Sequence, residues 1–205
     1  GAILLITLNL SAEMHMNVLS ALRAAVFQVP SLSTTGFVSA DFETWPTFSK
    51  MLLLMLMMIG GCAGSTASGI KVARIVLLFR NARAIIRQKL NPHRVVDVSL
   101  GGVHVDSAML MRVGTFFFLY LLIICITALL LTADGLAPFD AIAVAITTLG
   151  NIGPAFGIVS ATATYAPLSD FVKAVLCITM LFGRLEIFTL LILLRPSFWR
   201  KTKRW

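Results

Sequence analysis

Residues 16–41 read MNVLSALRAAVFQVPSLSTTGFVSAD. A short amphipathic stretch, Met16 to Val29, gives way to a polar segment, SLSTTGFVSAD (31–41), with Gly36 inside it. The same order returns in PFDAIAVAITTLGNIGPAFG (138–157), where an apolar stretch from Pro138 to Leu149 precedes GNIGPAFG (150–157). Neither 17–29 nor 138–149 is long enough to cross a bilayer, which takes about 20 residues. Each is preceded by an apolar run, the partial helix 2–12 or the longer 109–132, and followed by another that opens on Pro46 or Pro167. Proline suits a first helical turn because it has no N–H to lose there. Both ends of each short stretch then lie on one side of the membrane, which describes a re-entrant helix with a return loop. Such irregular backbone is tolerated at membrane depth only where protein buries it or it lines a watery cavity. Surface helices with glycine loops are the plainer alternative, and the spacing alone leaves it open.

The composition demands a membrane. The chain is 58% hydrophobic with only 13% charged residues, too few to cover a soluble domain, and its mean hydropathy is +0.92. Val113 to Ala133 holds no charge, and Pro167 to Leu194 is interrupted only by Asp170, Lys173, Arg184 and Glu186. The net charge of +8 is concentrated in two blocks, one from Lys71 to Arg94 and one from Arg195 to Arg204. By the positive-inside rule both are cytoplasmic. Glu13, Asp41, Glu43, Asp134, Asp140 and Asp170 then fall at the opposite ends of the adjoining runs. Because each basic block continues a membrane run, its counter-ions are lipid headgroups of the bilayer or an acidic cytosolic partner, not nucleic acid. Cys62, Cys125 and Cys177 are scattered, and His15, His93 and His104 lack ligand spacing, so no disulfide framework and no metal cluster are expected. The opening run, Ala2 to Leu8, has no basic region before it and reads as the tail of a membrane helix that starts upstream.

The loops suit a cation. Thr34, Thr35, Gly36 and Phe37 follow the first short helix; Asn151, Ile152, Gly153 and Pro154 follow the second. Glycine accepts backbone angles closed to other residues and lets successive carbonyls turn toward one axis. Carbonyl oxygens can replace a cation's hydration shell, and the C-terminal end of each short helix adds a negative dipole end. Neither loop contains a carboxylate. Two loops cannot encircle an ion, so either two further copies lie upstream or the pore forms between chains.

The run from Pro46 is broken by GGCAGSTASG (60–69): Gly60, Gly61, Cys62, Ala63, Gly64, Ser65, Thr66, Ala67, Ser68 and Gly69. This composition makes a poor helix, and the phosphate-loop pattern is absent. A flexible obstruction in the permeation path is one reading; close packing of helices through small residues is the other. Arg184 and Glu186 lie at membrane depth in the last run, where charges normally face protein or water. Two apart on a helix, they are poor partners for each other. Arg184 toward the pore, with Lys71 and Glu186 as a candidate ion pair, competes with a purely structural salt bridge between helices.

Four blocks carry a family resemblance: STTGF (33–37), GGCAGSTASGIKVARI (60–75), TTLGNIGP (147–154) and MLFGRLEIFTLLILLRPSFWR (180–200). With them the chain resembles the C-terminal half of a Trk/Ktr/HKT-type potassium transporter, nearest the bacterial Trk membrane subunits. The resemblance implies an all-α polytopic membrane protein of the bacterial cytoplasmic (inner) membrane. Its tandem helix–re-entrant pore helix–helix repeats would be of potassium-channel type, with the third and fourth of four repeats present here. Residues 1–89 would form one repeat, 90–107 a cytoplasmic linker, and 108–205 a second repeat with a basic tail. Gly36 and Gly153 would match filter glycines, residues 60–69 an intramembrane gating loop, and Arg184 a pore barrier. It further implies no enzyme activity, no covalent cofactor, potassium as the substrate, a homodimer, and a cytosolic nucleotide-binding regulatory subunit. The chain departs from the family in reading STASG where a glycine-richer STGGG is usual; NIGP lacks the Thr–Gly pair of the other loop, as is usual for the family, which leaves ion selectivity less legible. An alternating-access secondary transporter, possessing broken helices and repeats as well, and a sodium-permeable relative are the competing functions.

Overall fold

The computed structural model describes residues 1–62, 64–65, 67–90, 99–100, 103–185 and 187–195. The chain opens with α1 (Ala2–Glu13), α2 (Val18–Leu32), α3 (Thr47–Met57) and α4 (Val72–Leu90). A two-residue hairpin, β1 (Ser99–Leu100) and β2 (Val103–His104), leads to α5 (Ser107–Ala133), α6 (Pro138–Leu149), α7 (Asp170–Arg184) and α8 (Ile187–Leu194). The described fold is therefore all-α apart from that hairpin. Of the described helices, α5 alone is long and apolar enough to span a membrane unbroken; α7 and α8 reach that length only as a pair bent by 110°.

The two halves are built alike. In each, a leading helix packs on a short helix and on a descending one: α1 on α2 and α3, α5 on α6 and α7. A polar contact fastens leading to descending helix in both. Ser49 Oγ donates to Asn9 Oδ1 at 2.6 Å in the first half, and the Thr127 and Thr179 hydroxyls lie 3.2 Å apart in the second. Hydrogen bonds of this kind hold helices together where the surroundings are as apolar as the side chains. The halves join where α3 meets α6, over a core that includes Leu53, Met57, Phe42 and Phe156.

The short helices end where the glycine loops begin, with two differences from the sequence reading. The first helix runs past Val29 to Leu32 and carries Pro30 in its last turn. There the ring forfeits only one late hydrogen bond, and Ser33 N takes the Pro30 carbonyl instead. The last descending helix does not open on Pro167: Ser169 is its N-cap, with Oγ accepting from Val172 N at 3.2 Å. A serine that satisfies an orphan N–H fixes a start more firmly than a proline that merely tolerates one. Pro46 and Pro138 do mark starts, as N-cap of α3 and first residue of α6.

The first descending run is interrupted between Met57 and Val72, wider than the glycine window itself. Its two ends pair in parallel: Gly60 N donates to Ile70 O at 2.9 Å and Ile70 N to Met58 O at 3.1 Å. Val72 N adds a bond to Gly61 O at 3.3 Å. These bonds satisfy backbone groups that the broken helix would leave without partners, and because the pairing is parallel, the chain leaves the loop in the direction it entered.

Candidate functional site: two glycine loops over a glycine-rich break

Both glycine loops are held by the helix before them in the same way. In the first, Ser31 O accepts from Thr35 N and Gly36 N, each at 2.8 Å, while Ser31 Oγ donates to Phe37 O. In the second, Thr147 O accepts from Ile152 N at 3.0 Å and Thr147 Oγ1 donates to Pro154 O at 2.8 Å. One hydroxyl residue near the end of each short helix thus anchors both limbs of its loop. The sequence reading missed Ser31 and Thr147; laying the two loops against each other, with one extra residue in the second, would have brought them together.

Each loop also alternates in handedness. Thr34 (φ 95°) and Gly36 (φ 79°) are left-handed in the first, Asn151 (φ 52°) and Gly153 (φ 113°) in the second, with a single residue between the members of each pair. Left-handed residues are costly unless glycine or asparagine occupies them, so Thr34 is the strained member. Glycine and asparagine at the left-handed positions let consecutive peptide groups turn toward a common side.

The two loops touch. A Cβ added at Gly36 would collide with the Ile152 carbonyl oxygen and come within 3.5 Å of Pro154 Cδ. At Gly153 a Cβ would meet nothing within 4 Å, leaving only its positive φ to favour glycine. Above the contact, Phe42 packs edge-on against Phe156 with ring centroids 5.2 Å apart. Glu43 Oε2 accepts from Gly157 N at 3.1 Å while Glu43 Oε1 pairs with Lys50 Nζ at 2.8 Å. Gly157 is left-handed with φ 71° and lies against the Asp140 carboxylate, so a side chain there would be strained by its backbone and would have to displace that carboxylate. Tyr165 OH donates to Gly153 O at 2.6 Å, and burial pushes this phenol up to about 12. Gly153's carbonyl is thereby held toward Tyr165.

The glycine-rich break lies beneath. Gly60 and Gly69 face each other at its neck, where a Cβ on Gly60 would collide with the Ser68 carbonyl. Gly64 and Gly69 are left-handed, with φ of 85° and 82°. Ala63 and Thr66 lie outside the described residues. Two bonds tie the break to the loops above: Ser33 Oγ donates to Ile59 O at 3.0 Å, and Asn151 Nδ2 donates to Ser68 Oγ at 3.1 Å. A cavity of about 110 Å³ is bounded by Ser65, Ser68 and Gly69 of the break, Leu149 at the end of α6, and Lys71, Arg74 and Arg184. Arg184 is therefore brought to the break. Arg74, whose guanidinium stands 4.0 Å over the Phe116 ring, and Tyr120, whose hydroxyl is buried without a hydrogen-bond partner among the described residues, join it unforeseen. Lys71 Nζ donates to Ser65 O; its expected partner Glu186 lies outside the described residues. Cys62, Cys125 and Cys177 are free and exposed, and among the described residues no cluster of His, Cys, Asp or Glu could hold a metal.

With this geometry in hand, comparison with known proteins is decisive. The family model for TrkH, described as a cation transport protein, matches residues 3–201. The chain belongs to the TrkH family. It is 40% identical over 190 residues to the Trk system potassium uptake protein TrkH of Salmonella typhimurium, covering 92% of this chain and 39% of that protein. Against TrkH of Vibrio parahaemolyticus it is 42% identical over 177 residues, 86% of this chain and 36% of that protein. The crystal structure of the potassium transporter TrkH from Vibrio parahaemolyticus superposes with a TM-score of 0.88 at 39% identity, covering 97% of this chain and 42% of that one. The chain thus spans about two fifths of the length of the relatives it matches. The family consists of transport proteins and not enzymes, and the chain is a multi-pass protein of the bacterial inner membrane.

Proposed function

We propose that the protein carries potassium into the cell through a filter of backbone carbonyls at Thr34, Thr35, Gly36 and Phe37 and at Asn151, Ile152, Gly153 and Pro154. The observation that carries this reading is the paired alternation of left-handed residues in two loops that meet at Gly36 and Ile152. Those carbonyls of the two loops that the Ser31, Thr147 and Tyr165 hydroxyls do not engage, at the negative ends of α2 and α6, offer a dehydrated cation what water offered it. Potassium uptake by the named relatives supports the choice of ion. Residues 1–89 and 108–205 are two pore repeats joined by a cytoplasmic linker at 90–107, and the further length of the relatives supplies the repeats that close the ring.

Residues 60–69 act as the gate, lying under the filter on a chain that leaves in the direction it arrived. Arg184, at the cavity beside that loop, places a positive charge that slows cation passage. A homodimer and a cytosolic nucleotide-binding subunit of the Trk type complete the assembly, the latter engaging the basic face of α4, where Arg80, Arg83 and Arg87 follow one another. The test is to remove residues 63–68 from the complete protein and measure potassium and sodium uptake in vesicles with and without the cytosolic subunit. High flux that keeps its potassium preference and no longer responds to the subunit is expected. Flux that still depends fully on the subunit would move the gate elsewhere, and loss of potassium preference would move the filter.

A further inference from the structure

Asn151 stands between three elements. Its backbone is part of the second glycine loop, yet its side chain points away from that loop's partner and reaches the break: Nδ2 donates to Ser68 Oγ at 3.1 Å and to Met180 O at 3.2 Å. A carbonyl oxygen can only accept, so the Met180 contact fixes the amide nitrogen, and not its oxygen, toward Ser68. The partners come from separate elements, Ser68 from the break in the first descending run and Met180 from α7. Ser68 is 7% exposed, so its bond to Asn151 is largely shielded from bulk solvent. Packing keeps the amide in register. At Gly183 a Cβ would collide with the Leu149 carbonyl and approach Asn151 Nδ2 to 2.7 Å, so α7 closes against the end of α6 only because that position is glycine. The left-handed φ of 52° at Asn151 is a conformation that asparagine tolerates better than most residues.

We propose that Asn151 is a positioning residue that latches the glycine-rich loop beneath the filter, so that loop displacement requires its bond to Ser68 to break. This deepens the proposed function and rests on its assignment of 60–69 as the moving element. The latch is a single neutral hydrogen bond, which suits a switch: strong enough to bias the loop, weak enough to be overcome by force from the cytosolic side. Removing it favours the displaced loop by about five-fold, the scale of one such bond.

Cys62 carries a free thiol within the same loop, so a change in its labelling rate follows the loop's position independently of ion flow. In the complete protein with Cys125 and Cys177 replaced by serine, Ser68→Ala removes the acceptor without touching the filter backbone. Asn151→Gly removes the donor while accepting the positive φ. Each is expected to raise the rate of Cys62 labelling by a water-soluble maleimide about five-fold, and the double variant to label no faster than either single one. Faster labelling with raised basal rubidium flux supports the latch and the gate together. Faster labelling with unchanged flux supports the latch and removes the loop from the role of gate. An unchanged labelling rate in Ser68→Ala, or rates that multiply in the double variant, overturns the latch.

Discussion

The first and second glycine loops share their anchoring but not their surroundings, and the contrast separates what the backbone needs from what the neighbours impose. Ser31 and Thr147 hold the two loops alike. Gly36, however, is required twice over, by its φ and by the Ile152 carbonyl against it, whereas Gly153 is required by φ alone. The helices behind them differ in the same sense. Residues 143–149 of α6 are buried without exception, while α2 leaves Leu19 74% and Phe27 45% exposed. Similar loops can thus be stabilised differently, one by enclosure and the other by contact with its twin.

The sharpest way to break this contrast is to put the same side chain in both places. Gly36→Ser is expected to be the more damaging, because the added Cβ must displace the Ile152 carbonyl as well as adopt a left-handed conformation. Loss of most potassium-over-sodium preference, with a lower yield of folded protein, is the outcome to look for in ion-flux ratios. Gly153→Ser faces only the strain of its φ, about 1–2 kcal/mol, and should retain a reduced preference. Equal severity in the two variants would mean that the contact between loops carries no weight.

A smaller effect should follow from the anchors that the loops share. Ser31→Ala and Thr147→Val each delete one hydroxyl donor to a loop carbonyl, with an expected cost of about 1 kcal/mol in stability. Similar losses of thermal stability in the two variants would support equivalence of the repeats; a loss in one alone would restrict the anchoring to that loop.

Smallest of all is the effect expected at Tyr165, whose hydroxyl bonds the second loop at Gly153. Tyr165→Phe should lower ion selectivity slightly while leaving Gly36-dependent behaviour intact. The sign of its pH dependence follows from its raised pKa. The protonated phenol is favoured in the folded protein, so its contribution is complete below the ordinary tyrosine value of about 10 and fades as pH rises toward about 12. Selectivity should therefore be flat from pH 6 to 9, and a titration in that range abolished by Tyr165→Phe would show that the phenol is less shielded than its burial implies.

Much of this arrangement was legible in the sequence because it is written in local chemistry. Stretches too short to span a membrane, each followed by glycine, announced the re-entrant helices, and four glycines between 60 and 69 announced the break. Arg184 could be placed near that break because a charge at membrane depth has few other places to go. What escaped was decided by tertiary neighbours. Pro30 reads as a stop, but at the end of a helix it costs a single bond. Asn151 reads as a loop residue, and nothing near it in the sequence points to Ser68, which sits 83 residues away. Glu43 reads as a surface acid, although its two oxygens bind Lys50 and the backbone of the opposite repeat. Side-chain bonds between distant segments have no periodicity to betray them.

The parallel pairing of Ile59 with Ile70 has one further consequence. Because the ends of the interruption are pinned side by side, the span between them is a closed excursion, and its length does not enter the register of the helix that follows. The entropic cost of closing such a loop rises by only about 0.6 kcal/mol for each doubling of its length. Residues can therefore be added or removed within it without shifting α4, so the length of the break and the placement of the helix after it are independent of each other.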